Sequence, residues 1–258
     1  MKLFDVTFKL DSVFPELKSI LPVLNNMARD GNRLTVDART SHTSDRYYLR
    51  MNLYRENKLY PTIGLRPYLS EDFNPDCFSK FYDCNLSDCF LQAETDTDCS
   101  CIKVKVYDSL PEESTLISDS SLCSNIDYSD HEQKESYILA YRKPFKELQL
   151  LIPSLNSILS KGGVVYPQIQ KRVDEEKNAF KYLRLNFSTV NNNFDRPSIF
   201  ISAGLKNNCK IYTENGGVDS NASIVSLMAQ YSMGHYPLKF FIEYSSDVPT
   251  VKCVVYEK

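Results

Sequence analysis

The chain has 258 residues, enough for one large core or two smaller ones of about 130 residues each. Hydrophobic residues make up 42% of the chain and charged residues 24%, which excludes an intrinsically disordered protein. The net charge of −3 excludes a protein that grips nucleic acid through an overall basic surface. No apolar run is long enough to span a bilayer, so we expect no membrane partner.

The first half begins with a predicted strand, since MKLFDVTFKL alternates apolar and polar residues and lacks the apolar core of a secretion signal. An amphipathic helix follows from residue 14. Further strands are predicted at 33–39, 47–54, 59–64, 90–94 and 102–107, with a second helix at 74–84. Residues 108–135 are rich in Ser, Asp and Glu and predict a surface linker.

The second half has the same alternation of elements. A helix is predicted from residue 145, then strands at 182–189, 199–203, 209–213, 238–244 and 250–256, with a helix at 219–233. Residues 161–181 hold the densest run of basic residues in the chain. This run predicts a polar insertion between a helix and a strand.

Two segments of the first half recur in the second. FPELKSILPVLN at 14–25 returns as FKELQLLIPSLN at 145–156, with six of twelve positions identical and a spacing of 131 residues. YLRMNL at 48–53 returns as YLRLNF at 182–187, 134 residues later. The shared order and spacing predict two similar domains. Pro22 and Pro153 lie at the same place in both predicted helices, where we expect a shared bend.

The reactive residues do not form a catalytic motif. The three histidines are His42, His131 and His235, and no nucleophile, phosphate-loop or dinucleotide pattern occurs. We expect the eight cysteines to be reduced thiols. Cys99 and Cys101 are the nearest to a zinc-binding pair, but their spacing falls short of C-x2-4-C, and both fall in an alternating, strand-like run of residues. We therefore predict no metal, no cofactor and no enzyme, with a hidden catalytic constellation as the alternative.

Three hairpin and turn motifs resemble the PCNA-like sliding-clamp superfamily. Residues 245–249, SSDVP, precede the strand TVKCVVYE and resemble the Ser-x-Asp-x-Pro hairpin near the end of these clamps. Residues 90–107 resemble the matching hairpin of the first half, and residues 37–42, DARTSH, a turn after the first helix–strand unit. The resemblance implies an α+β DNA-clamp fold: clamp domain 1 at 1–107, a connecting loop at 108–135 and clamp domain 2 at 136–258. Each domain would hold antiparallel sheets and two helices.

Within this superfamily the chain is most similar to the Hus-type subunit of the heterotrimeric DNA-damage checkpoint clamp. The start, MKLF, and the junction ILAYRKPF at 138–145 carry that similarity. It implies a nuclear, non-enzymatic ring subunit that encircles double-stranded DNA without sequence specificity. Its implied partners are two other clamp subunits, a clamp loader, and repair and checkpoint proteins. The alternatives are a PCNA-like replication processivity factor and a clamp-fold interaction module that does not encircle DNA.

The resemblance also implies two sets of site residues. The cations expected to face DNA are Lys18, Arg29, Lys80, Lys146, Lys161, Lys171 and Arg172. The helix predicted at 219–233 has no Lys or Arg, which favours a mixed ring with more basic partners. A partner-peptide pocket is expected at His42, Leu116, Ile117, Leu122 and Pro249, although the last strand and tail that form one wall in PCNA have no counterpart here. We expect strand 101–107, and one strand between 182 and 213, to be edges that pair with neighbouring subunits.

Overall fold

The computed structural model shows an α+β fold with antiparallel sheets and few helices. It describes residues 1–55, 60–82, 89–110, 130–139, 147–173, 179–190, 197–204, 211–213, 218–219, 238–243 and 250–257. The chain divides into two compact units, Met1–Leu122 and Cys123–Lys258. None of the helices in the described ranges has the length and apolar character needed to cross a membrane.

The first unit contains a sheet with the strand order β1-β6-β5, made of β1 (Lys2–Lys9), β5 (Phe90–Thr95) and β6 (Cys101–Tyr107). A second group of antiparallel strands comprises β2 (Arg33–Thr40), β3 (Tyr47–Tyr54) and β4 (Ile63–Leu65), paired in chain order. Helix α1 (Leu17–Arg29) packs against β5. A 3₁₀ helix, Pro75–Phe78, leads directly into the single turn α2 (Ser79–Tyr82).

One face of the β1-β6-β5 sheet forms the core of this unit. Its buried side chains alternate along the strands and are Val6, Phe8, Leu91, Ala93, Ile102, Val104 and Val106. The rings of Phe78 and Phe81 lie on the same face, with centroids 5.1 Å from Phe8 and 5.3 Å from Phe4 respectively. Burying each large side chain contributes about 1.5–3 kcal/mol, so the sheet face fixes the position of α2.

Helix α1 ends in a glycine turn. Gly31 has a φ of 85°, and its N–H donates to Ala28 O at 3.3 Å, while the Asn32 N–H donates to Met27 O at 3.3 Å. These two bonds satisfy carbonyls that the end of a helix leaves open. The left-handed backbone favours a residue without a Cβ, which accounts for the glycine.

The second unit contains a five-stranded sheet with the order β12-β11-β7-β14-β13. Its strands are β7 (Gln133–Leu139), β11 (Ile211–Thr213), β12 (Val218–Asp219), β13 (Leu238–Glu243) and β14 (Thr250–Tyr256). Three further strands pair antiparallel in chain order: β8 (Val164–Val173), β9 (Ala179–Ser188) and β10 (Ile199–Gly204). Helix α3 (Leu148–Ser160) packs against β13.

Helix α3 ends in the same way as α1. Gly162 has a φ of 86°, its N–H donates to Leu159 O at 3.0 Å, and the Gly163 N–H donates to Ile158 O at 3.0 Å. Both helices have thirteen residues, and each contains one proline, Pro22 in α1 and Pro153 in α3.

Several described elements of the two units correspond in order and pairing, whereas β11 and β12 of the second unit and α2 of the first have no described counterpart. In each unit a first strand precedes the helix, a hairpin and a third strand follow, and a last hairpin pairs with the first strand. The registers also correspond. Arg33 pairs with Tyr54 in the first unit, and Val164 pairs with Ser188 in the second, at the spacings found for the two repeated sequence segments.

Two predicted features are wrong. The described part of residues 161–181 is not a polar insertion, because Val164–Val173 form β8 and residues 179–181 begin β9, with a ladder that runs from Val164–Ser188 to Val173–Ala179. Strand 101–107 is not an edge, because β6 lies between β1 and β5 and pairs with both. Strands β9 and β11 also have a neighbour on each side within the second unit.

Two boundaries also differ from the prediction. The last residues of the predicted connecting loop 108–135 belong to β7, which begins at Gln133. Asp219, predicted to start a helix, instead ends the short strand β12, and residues 220–233 lie outside the described part of the chain.

Candidate nucleic-acid interface

Two of the predicted DNA-facing cations share one face of α1. Lys18 and Arg29 are eleven residues apart, about three helical turns or ~16 Å along the axis. Both side chains are half-buried, and most other residues of the helix are buried in the core. Neither forms an ion pair with any residue that the structure describes. This face of α1 can therefore hold an anion without first breaking an ion pair within the described chain.

Lys18 lies close to the turn that joins β5 and β6. Burial raises the pKa of the Cys99 thiol, and the positive charge of Lys18 acts in the opposite direction. The Sγ of Cys99 is also 3.8 Å from Pro15 O, which links this turn to the start of the helix. The turn thus sets the position of the N-terminal end of the cationic face.

A single carboxylate organises this turn. Asp96 accepts hydrogen bonds from Ser100 Oγ at 2.6 Å, Ser100 N at 2.8 Å and Cys101 N at 3.3 Å. The hydrogen bond from the Ser100 side chain is the main reason that the pKa of Asp96 falls below its usual value. Cys99 completes the turn with a φ of 55°, in the left-handed region.

The other predicted cations are distributed over both units. Lys80 is exposed in the single turn α2. Lys161 is the exposed C-cap residue of α3, and Arg172 is exposed near the end of β8. Lys171 lies in β8, but its side chain and the whole of Lys146 are outside the described residues. Among the predicted cations whose side chains the structure describes, Lys18 and Arg29 are the two that share one face of a helix.

The second unit lacks the cations of α1 at the equivalent positions of α3. The repeat aligns Lys18 with Gln149 and Arg29 with Ser160, both uncharged. Helix α1 therefore has a cationic face, whereas the equivalent positions of α3 are neutral.

The predicted partner pocket has one described member. His42 is exposed just after β2, whereas Leu116, Ile117, Leu122 and Pro249 lie outside the described residues. The ring of His131 lies 6.4 Å from that of Tyr256. No group of three or more His, Cys, Asp or Glu side chains that could hold a metal occurs in the described ranges.

Sequence reasoning missed a second basic surface, on β2 and β3. Arg50 Nε donates to Asp37 Oδ1 at 2.6 Å, and Arg39 Nε lies 3.8 Å from Asp37 Oδ2. The guanidinium of Arg33 lies 4.9 Å from the centroid of the Tyr54 ring. The carboxylate of Asp37 therefore contacts two arginines on this face, Arg50 and Arg39. The alternation of the polar residues along β2 was the signal that could have identified it.

A cleft between α1 and β5 was not predicted from the sequence. Its walls are formed by Asn25, Arg29, Phe90, Leu91, Gln92 and Leu110. Phe90 and Leu110 are far apart in sequence, and only the fold brings them to the side of Arg29.

Comparisons with known proteins do not assign a family. No protein-family model matches the chain, and no curated protein is detectably similar to it. One solved structure, the di-domain ARO/CYC StfQ from the steffimycin biosynthetic pathway, aligns with 98% of this chain and 83% of its own, at 7% identity and a TM-score of 0.18. A TM-score this low supports no conclusion about fold or function.

Proposed function

We propose that the chain is a non-enzymatic subunit of a ring-shaped DNA sliding clamp, of the type that encircles DNA at damage sites and recruits signalling and repair proteins. The observation that carries this proposal is the internal duplication. The strand–helix–hairpin order, the hairpin registers and the helix-ending glycine turns correspond in the two units. Together with the SSDVP and DARTSH motifs, this correspondence supports a DNA-clamp fold of two repeated domains.

A duplicated unit suits a ring around DNA for a geometric reason. Repeated copies of one surface can face a rod-shaped duplex from several directions, and closed assemblies are built from such repetition. Cations on the helices would contact phosphates, which position a protein on DNA without reading its sequence. Lys18, Arg29 and Lys80 are the described helix cations of the first unit in this role. In the second unit we assign the same role to Lys146, to Lys161 at the end of α3, and to Lys171 and Arg172 on β8.

The charge distribution favours a mixed ring over a homotrimer. The cationic face of α1 has neutral counterparts, Gln149 and Ser160, on α3, and the whole chain has a net charge of −3. Phosphate contacts dominate the affinity of a protein for DNA, so a ring made only of this chain would hold DNA weakly. Two other, more basic clamp subunits would compensate. A clamp loader and a nuclear location follow from the same proposal.

The neutral face of α3 also favours a second candidate, a clamp-fold interaction module that does not encircle DNA. Such a module would need no positive lining, and its function would depend on partner-binding surfaces alone. A PCNA-like replication processivity factor requires instead that three identical copies close a ring.

Native mass spectrometry distinguishes these candidates. The tagged chain is purified from its own cells at low ionic strength, and separately after expression alone. We expect a three-chain complex with two non-identical subunits from the cells, and no closed homotrimer from the isolated chain. A stable homotrimer of the isolated chain would support the replication factor. A chain recovered without other clamp-sized subunits would support the interaction module.

A further inference from the structure

The cleft between the C-terminal end of α1 and the start of β5 exposes apolar surface. Its lining side chains Phe90 and Leu110 are 37% and 47% exposed, which places both among the exposed large hydrophobic residues of the described chain. Leu91 forms the buried floor beside them. Apolar side chains that meet in a concave site are typical of a surface that binds another apolar group.

The same cleft contains a cation that lacks a counter-charge. Arg29 is half-buried against the cleft and forms no ion pair or hydrogen bond within the described part of the chain. A guanidinium has five N–H donors in a planar arrangement that matches a carboxylate with two parallel hydrogen bonds. A half-buried Arg29 next to Phe90 and Leu110 therefore complements a ligand in which a carboxylate lies beside an apolar group.

The backbone of β5 supplies the third element of the site. The N–H and C=O of Ala93 point away from β6, because both bind the side chain of Asn25 at 2.8 and 2.7 Å. Backbone groups alternate in direction along a strand of an antiparallel pair, so those of Leu91 point the same way as those of Ala93. Leu91 has no hydrogen-bond partner at this edge among the described residues. It leaves one donor and one acceptor open to an extended peptide.

From these three features we infer that the cleft binds a short extended peptide with an apolar side chain adjacent to an Asp or Glu. The peptide backbone pairs with Leu91, its apolar side chain lies between Phe90 and Leu110, and its carboxylate binds Arg29. Nucleic acid fits less well, because a phosphate backbone offers no apolar group to Phe90 and Leu110. The inference goes beyond the proposed function. It takes Arg29 out of the proposed DNA-facing set by giving it a protein carboxylate as ligand, and it leaves the other cations of that set unchanged.

The test uses the full chain and two synthetic peptide pools. One pool contains acetylated heptapeptides with a central Asp flanked by randomised Leu, Ile, Val and Phe, and the control pool has Asn at the centre. Two-dimensional NMR of the labelled protein follows the backbone amides of Leu91 and Gln92 and the side-chain Nε–H of Arg29. We expect saturable shifts of all three signals with the Asp pool and much weaker shifts with the Asn pool.

Two variants separate this site from the DNA-facing surface. Arg29→Gln should weaken binding of the Asp pool about tenfold or more, because a charge-assisted pair is lost. Lys18→Gln, the matched change at the other end of the same helix face, should leave peptide binding unchanged. Equal responses to both pools, no response to either, or displacement of the peptides by a short DNA duplex would overturn the inference. None of these outcomes bears on whether the chain assembles into a ring.

Discussion

The side chain of Asn25 binds both backbone polar groups of Ala93. Asn25 Nδ2 donates to Ala93 O at 2.7 Å, and the Ala93 N–H donates to Asn25 Oδ1 at 2.8 Å. The equivalent pair in the second unit is Asn156 and Phe240, at 3.0 and 2.9 Å. In each unit a helix asparagine thus takes the place of a neighbouring strand at the edge of a sheet. Blocking an edge in this way prevents strand addition at that residue.

Replacing Asn25 with Leu should destabilise the protein strongly. The change keeps the approximate volume but leaves a buried N–H and a buried C=O of Ala93 without partners, each at about 1–3 kcal/mol. We expect a loss of about 2–4 kcal/mol in the free energy of unfolding, measured by urea denaturation. Asn26→Leu, at the exposed neighbouring position, is the control and should change stability by less than about 0.5 kcal/mol. Equal effects of the two changes would contradict the role assigned to Asn25.

Asn156→Leu should have a smaller effect than Asn25→Leu. Asn156 is half-buried, so water can partly replace the lost hydrogen bonds to Phe240, and we expect a loss of about 1–2 kcal/mol. Hydrogen exchange at the Phe240 amide reports the change directly, since this amide should lose protection while that of Ala93 does not. Leu150→Ala, on the exposed side of α3, is the control for a general weakening of the helix. A protected Phe240 amide in the Asn156 variant would show that another group binds it.

The sequence predicted elements well where one face of a strand or helix is continuously apolar. Strands 47–54 and 250–256 were predicted at the residues where β3 and β14 begin and end. The prediction failed at β8, where Gln168, Gln170 and Arg172 obscured the alternation with the buried Val165 and Pro167. Outward-facing polar residues made a regular strand resemble a solvated loop.

The candidate sites were predictable only in so far as they lie on one element. The eleven-residue spacing of Lys18 and Arg29 is a property of a single helix, and sequence alone places both on the same face. The cleft forms because Phe90 and Leu110 approach Arg29 in the fold. The edge of β5 is blocked because the side chain of Asn25 reaches the backbone of Ala93. Both depend on tertiary packing between segments distant in the chain, which periodicity does not encode.

Gly163 and Gly31 should respond differently to substitution with alanine. A Cβ at Gly163 would lie 2.6 Å from Ile158 O and 2.7 Å from Ser188 O, so two backbone segments would have to move. We expect Gly163→Ala to cost about 1–3 kcal/mol or more. A Cβ at Gly31 has open space around it, and only the left-handed backbone opposes it, at about 1–2 kcal/mol. Thermal and urea denaturation should rank Gly163→Ala as the more damaging change, and the reverse order would contradict the close approach of β9 to the end of α3.

The turn between β5 and β6 should lose stability in acid. The hydrogen bonds from Ser100 and Cys101 lower the pKa of Asp96 in the folded protein. The carboxylate therefore contributes stability that is present above the unfolded pKa of about 4 and is lost as the pH falls through the lower folded pKa. Asp96→Ala should lower the urea midpoint at pH 7, and its difference from the wild type should narrow below about pH 4. Asp98→Ala is the control. If the difference in urea midpoint between Asp96→Ala and the wild type stayed constant with pH, this would contradict the role of the Asp96 charge.

Charge reversal of three lysines predicted to face DNA tests whether the chain binds it. The variant carries Lys18→Glu, Lys80→Glu and Lys146→Glu, and it leaves Arg29 unchanged so that the cleft is not altered. Exposed charges contribute about 0–1 kcal/mol each to stability, so folding and ring assembly should persist. Loading of the assembled ring onto circular duplex DNA should fall, equally for every DNA sequence and with a shallower dependence on salt, because fewer counterions are released.

The matched control reverses three cations on strands that are not in the predicted DNA-facing set. Lys9→Glu, Arg33→Glu and Arg39→Glu produce the same change in net charge at positions that the structure exposes on β1 and β2. A ring that holds DNA against its helices should lose loading only in the helix variant, whereas a general effect of net charge would reduce loading equally in both. Unchanged loading of the helix variant at low and at physiological salt would remove these lysines from the DNA-facing surface. Loss confined to the control would instead assign DNA binding to the arginines of the β2–β3 face.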